Sequence, residues 1–223
     1  MRSTDGINWA QVWLKTGGLT SVTYGGGIFI AAGFGHYLTS PDGIIWVSHD
    51  LGITSDMVRF VNGVFIAVGH ADAILTSTNG LSWHSHPLVG YQILDDVAFG
   101  NGVFVAVGSF GVLMRSIDAM QWDRIDIGYT GFLYGLIYTN GKFVAVGSED
   151  KKAVILTSLD GLTWKRKDAG VAESSFEELM SVTFANGNFV AVGYGGEVVA
   201  SPDGDQWKRL SRGPRENLGG LAY

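Results

Sequence analysis

The chain has 223 residues, no cysteine and a net charge of −6, with 21 acidic against 15 basic residues. Its 33 glycines are about twice the usual ~7%, charged residues are 16% against a usual ~25%, and 46% of positions are hydrophobic. This balance excludes a disordered chain, a disulfide scaffold and a nucleic-acid binder with a basic footprint. No apolar run approaches the ~18 residues of a membrane span, and no apolar stretch of signal-peptide type follows Met1.

In chain order, the first recognisable element is a box, Ser3-Thr4-Asp5-Gly6-Ile7-Asn8-Trp9, of the form S-x-[DN]-[GA]-x-x-W. It returns at Ser40, Ser77, Ser116, Ser158 and Ser201, ending at Trp46, Trp83, Trp122, Trp164 and Trp207. Asn79 replaces the Asp once, and Ala119 the Gly once. Between the boxes runs a second motif, [YF]-x-[NG]-G-x-F-[IV]-A-[AV]-G, at Tyr24–Gly33, Phe60–Gly69, Phe99–Gly108, Tyr138–Gly147 and Phe184–Gly193. Each Asn-Gly pair predicts a type I′ hairpin turn, because both residues tolerate positive φ. The Phe-Val-Ala-Val runs predict strands buried on both faces. Asp-Gly predicts the next turn, and no window carries a capped helical period.

Four antiparallel strands about every 40 residues predict an all-β chain, a β-propeller of five complete blades plus partial end strands. Repeats fall at about 18–50, 54–88, 93–127, 132–168 and 177–211 of a single domain, 1–223. Residues 1–14 match strands 3 and 4 only, and Leu218–Tyr223 matches strand 1 only. Either these ends share a sixth blade lacking strand 2, or the chain is a piece of a longer array whose unpaired ends favour self-association.

The boxes make the chain resemble the Asp-box, or bacterial neuraminidase repeat, group of propellers, which includes sialidases and photosystem II assembly factors. The usual sialidase box has one residue between Asp and Gly; here the two are adjacent, as in Asp42-Gly43. The resemblance implies a bacterial binding or scaffolding module for a glycan or protein ligand, secreted or at the cell surface if part of a longer protein. The alternatives are a sialidase-type hydrolase and a client-binding assembly factor. A sialidase needs three converging arginines, but Arg124, Arg166 and Arg209 each follow a box Trp on an outer strand, and only Arg59 is on an inner one. No catalytic residue, cofactor or metal is therefore assigned. The box aspartates read as turn acceptors, since one chemistry at equivalent places answers a repeated structural need.

The loops opposite the Asn-Gly and Asp-Gly turns carry the variation, where binding residues concentrate on a rigid scaffold. They nominate His36, His70 and Asp72 in 2–3 loops, His49 and His86 at the end of strand 4, and Phe110 and Tyr194 as stacking aromatics. Asp56, Asp95, Asp96, Glu177 and Glu178 predict an acidic rim at the mouth of strand 1. The longest loops are expected at Ser148–Ala153 and Arg166–Glu178.

Overall fold

A computed structural model describes residues 3, 5, 7, 8, 10, 18–33, 35–50, 56–170, 178–212 and 216–221. The chain forms two compact units, residues 1–91 and 92–223. In the first unit, β1 (Ser21–Gly25), β2 (Ile28–Gly33), β3 (His36–Ser40) and β4 (Val47–Asp50) form one antiparallel blade in that order. A second blade consists of β5 (Met57–Val61), β6 (Val64–Val68), β7 (His70–Ser77) and the first part of β8 (His84–Gly100). In the second unit, the rest of β8 opens a blade with β9 (Val103–Gly108), β10 (Leu113–Ser116) and β11 (Asp123–Arg124). Two further four-stranded blades follow: β12 (Phe132–Thr139), β13 (Lys142–Glu149), β14 (Lys152–Ser158) and β15 (Lys165–Lys167), then β16 (Leu179–Ala185), β17 (Asn188–Gly193), β18 (Glu197–Ser201) and β19 (Lys208–Arg212). Among the described residues the only helical piece is the 3-10 turn Tyr194–Gly196, so no helix is long and apolar enough to cross a membrane.

The first turn of each blade has the expected geometry: Asn62, Asn101, Asn140 and Asn186 lie at φ 48–50 and their glycines at φ 75–79. Strand 2 is the buried one, most completely in β9, where every residue is buried. Each core lies between blades of the same unit. Ile30, Phe65 and Leu75 meet Trp83 in the first unit; Val105, Leu136 and Phe143 meet Trp164 in the second, and Val144 and Phe189 meet Trp207. Each of these tryptophans packs back onto the preceding blade, which is the gap-filling role expected of an aromatic this large.

The boxes are backbone cradles. Asp42 Oδ1 accepts the N–H groups of Ile44 and Ile45 at 2.8 and 3.0 Å. Ser40 Oγ accepts those of Asp42 and Gly43, and donates to Asp42 Oδ1. The same arrangement recurs around Asp5, Asn79, Asp118, Asp160 and Asp203. The fourth box position needs positive φ, met by Gly43, Gly80, Gly161 and Gly204 at 71–75° and by Ala119 at 62°.

Neighbouring inner strands are joined by a side chain on strand 1. Ser21 Oγ accepts Val58 N–H at 3.0 Å and donates to Val58 O. At the same register in the second unit, Asp96 Oδ2 accepts Leu136 N–H at 2.9 Å, and Ser181 Oγ accepts Leu221 N–H at 3.3 Å. The tail thus meets the last blade as one inner strand meets the next, although residues 216–221 form no ladder.

Two local expectations are corrected. Ser148–Ala153 is not a loop: β13 reaches Glu149, β14 starts at Lys152, and Asp150 and Lys151 form a two-residue turn at φ 51 and 64. The predicted break between repeats at 89–92 lies inside strand β8, with Gly90 at φ 74 the residue there that leaves extended geometry.

Candidate functional site

In the first unit the nominated histidines are spread along strands. His49 Nε2 meets Thr39 Oγ1 at 2.9 Å and its ring stacks on Tyr37 at 4.8 Å. His86 Nε2 meets Thr76 Oγ1 at 2.7 Å, the equivalent contact one blade on. A strand-4 histidine bound to a strand-3 threonine twice over is a blade-building pair. His36 opens β3 opposite Asp50, with Nε2 buried and without a hydrogen-bond partner among the described residues. His70 Nε2 lies 3.5 Å from Asp56 Oδ2, and Asp72 is an exposed residue of β7. Among the described residues no three His, Asp or Glu side chains gather as a metal site.

In the second unit several nominated residues do converge. Ser109 Oγ donates to Asp95 Oδ2 at 3.2 Å, which places that carboxylate beside the Phe110 loop. Phe110 is 62% exposed yet sits at φ 58, where a bulky side chain is strained by about 1–2 kcal/mol. The cause is the next residue. Gly111 N–H donates to Gly131 O at 2.9 Å, and a Cβ on Gly111 would fall 1.8 Å from Tyr129 O. The loop is pressed flat on that backbone, and the turn leaves Phe110 at its tip.

The Phe110 ring packs on Phe132 at 5.0 Å, and Phe132 stacks on Tyr134 at 6.0 Å with planes 10° apart. Burial pushes the Tyr134 phenol up, a hydrogen bond with Ser148 opposes this, and the charges of Glu178 and Asp95 add to the rise. Tyr194 is held over the same region by its N–H donated to Glu178 O at 2.9 Å. Three aromatic rings in a row, a fourth nearby and two carboxylates within electrostatic reach form one mouth. Rings present negative faces, so such a mouth attracts a cation with an apolar stem.

Phe132 and Tyr134 escape the sequence reading. They alternate with Leu133 on β12, and only the fold shows that their face of the strand meets the Phe110 loop. Asp96, expected on the acidic rim, is instead 2% exposed: its Oδ1 accepts its neighbour Val97 N–H and its Oδ2 that of Leu136. The ladder shifts register between Leu94 and Asp96, leaving Asp95 unpaired in β8, so Asp95 reaches Ser109 beside the mouth while Asp96 pairs opposite Val107 and turns to Leu136 on the next inner strand. Glu177 lies outside the described residues.

The outer-strand arginines are not simply solvated. Arg166 pairs with Glu149, and Arg209 with Glu197, which is 1% exposed. Arg209 Nε donates to Glu197 Oε1 at 2.6 Å, so this guanidinium balances a buried charge.

No protein-family model matches the chain, and no curated protein matches it in sequence. Solved structures do. YCF48 bound to a D1 peptide is 22% identical, with a TM-score of 0.63 over 87% of this chain and 67% of that one. Streptogramin B lyase is 9% identical, with a TM-score of 0.75 over 87% of this chain and 68% of that one. The WD40 β-propeller domain of Doa1 is 15% identical, with a TM-score of 0.72 over 95% of this chain and 74% of that one. Likeness at these identities is likeness of fold, and with five four-stranded antiparallel blades the chain is a β-propeller.

Proposed function

We propose that the chain is a non-catalytic binding propeller of Asp-box type, and that the mouth of its second unit takes a basic segment of a protein partner. The observation that carries this reading is Phe110: an exposed aromatic in a strained conformation, packed tilted on Phe132, which in turn stacks on Tyr134, beside Asp95 and Glu178. Strain concentrates where function uses it. A lysine or arginine side chain would lay its stem on the rings and its charge toward the carboxylates, with each cation–aromatic contact contributing about 0.5–2 kcal/mol. That YCF48, a similar fold, is bound to a peptide supports a peptide ligand. A sialidase-type reading finds no support in Arg166 and Arg209, which are both occupied by glutamates.

The test is Phe110→Gly, measured twice. Glycine relieves the positive φ, so stability stays level or rises by up to about 1 kcal/mol. Affinity for a labelled lysine- and arginine-rich peptide, read by fluorescence anisotropy, falls about tenfold because no ring remains at the loop tip to meet the cation. Equal affinity for an acidic peptide, or binding untouched by Phe110→Gly, Asp95→Asn and Glu178→Gln, overturns the proposal. Binding to a glycan array in place of the basic peptide would instead make the rings a sugar platform.

A further inference from the structure

A second site lies in the same unit, on the side of the Asp-Gly turns. A cavity of about 390 Å³ opens between the last two blades, lined by Lys142, Lys165, Lys167, Thr157 and Thr163 together with two acidic residues, Asp205 and Asp160, the latter's Oδ1 taken up by the N–H groups of Leu162 and Thr163. Three of the chain's 15 basic residues thus face one hollow of an acidic protein. Lys165 and Lys167 share a face of β15, while Arg166 between them turns away to Glu149.

Asp205 bridges two of the lysines: Oδ2 is 2.7 Å from Lys142 Nζ, and Oδ1 is 2.6 Å from Lys167 Nζ. The other boxes carry Ile7, Ile44, Leu81, Met120 and Leu162 at this position. The single departure sets a carboxylate where an oxyanion fits. The lysine side chains are 15% and 20% exposed, and that of Asp205 is 42%. The cations are therefore the fixed members and the carboxylate the member able to swing out to water. Lys165 forms no ion pair among the described residues, so one charge already faces the hollow.

We infer that this cavity is a binding site for an oxyanion, a phosphate or a carboxylate group, held by Lys142, Lys165 and Lys167 with Asp205 as its internal substitute. The volume falls within the ~300–1,000 Å³ range of small-ligand sites. The two threonine hydroxyls supply donors that a bare lysine pair lacks. Asp205 competes with the guest, and its removal takes the carboxylate off two ammonium groups at once, with Lys142 Nζ still donating to Asp203 O at 2.7 Å.

Calorimetric titration with inorganic phosphate and, separately, with acetate tests this on the whole chain. Binding in the range of about 1 mM is expected for the parent. Asp205→Asn tightens it about tenfold, and Lys165→Met weakens it several-fold. Saturation by phosphate alone assigns a phosphate-bearing ligand, and comparable saturation by acetate assigns a carboxylate. No saturable binding of either anion to Asp205→Asn, or an affinity unmoved by Lys165→Met, overturns the inference. Lys165 is exposed on its strand, so its variant folds and keeps the test open should Asp205→Asn not.

Discussion

At Ala119 a methyl group sits at φ 62 and is 3% exposed, in a turn whose other copies use glycine. Ala119→Gly exchanges the cost of a left-handed alanine for a lost buried methyl and a freer unfolded chain, and is expected to stabilise by at most about 1 kcal/mol. The reverse change is asymmetric. In Gly161→Ala the new Cβ meets Val105 Cγ2 at 2.8 Å as well as φ 73, so a loss of about 1–3 kcal/mol is expected in urea unfolding. The box carboxylates make a different prediction. The N–H groups of Gln206 and Asp205 hold the Asp203 carboxyl down at about 2. A group depressed on folding stabilises above its unfolded value near 4, and that contribution disappears as pH falls through the folded value. Asp203→Asn keeps the acceptor oxygen, as Asn79 does naturally. Melting temperature between about pH 4 and 2 is therefore expected to fall less steeply in the variant than in the parent.

At the scale of elements, the joint between inner strands outweighs the turns. Asp96→Ala leaves the N–H groups of Val97 and Leu136 without their acceptor in a buried place. A loss of about 2–3 kcal/mol is expected, with peptide binding at the mouth retained once the variant is folded. A loss of binding without a loss of stability would put Asp96 back on the rim. Turn types, strand order and the packing of Trp83, Trp164 and Trp207 are legible in the sequence because they repeat: six boxes and five hairpins constrain one another. The joint is not, because its three residues, Ser21, Asp96 and Ser181, share only the ability to accept a hydrogen bond. The mouth is half legible. Phe110, Glu178 and Tyr194 stand in variable loops and Asp95 at the mouth of strand 1, where attention falls, whereas Phe132 and Tyr134 occupy a strand that reads as ordinary core. The pairing of Arg209 is hidden because nothing in the spacing shows that Glu197, on the neighbouring strand, is buried.

Across the whole molecule, the charge of −6 and the acidic mouth act in the same direction on a basic ligand. Long-range attraction speeds encounter and is screened beyond a Debye length of ~10 Å at 0.1 M salt. Raising salt from about 0.05 to 0.5 M is expected to slow peptide association markedly in stopped-flow mixing while changing dissociation little. An association rate indifferent to salt would leave the rings, without the field, as the source of affinity.

The Asn-Gly turns have a consequence for the life of the protein in solution. An asparagine followed by glycine is the sequence most open to attack of the next backbone nitrogen on the side-chain amide carbon, which expels ammonia and closes a succinimide that water then reopens as aspartate or isoaspartate. Asn62, Asn101, Asn140 and Asn186 all stand there in the first turns of their blades, and Asn79 precedes Gly80 in its box, while the first blade turns at Gly26-Gly27 and is exempt there. Each event adds one negative charge, so all five would carry the chain from −6 to −11. Isoaspartate also lengthens the main chain within a two-residue turn, which disturbs the register of the buried second strand. Asn101 is pinned by its amide to Leu159 O at 3.1 Å, and of the four asparagines in the first turns it should be the slowest to age.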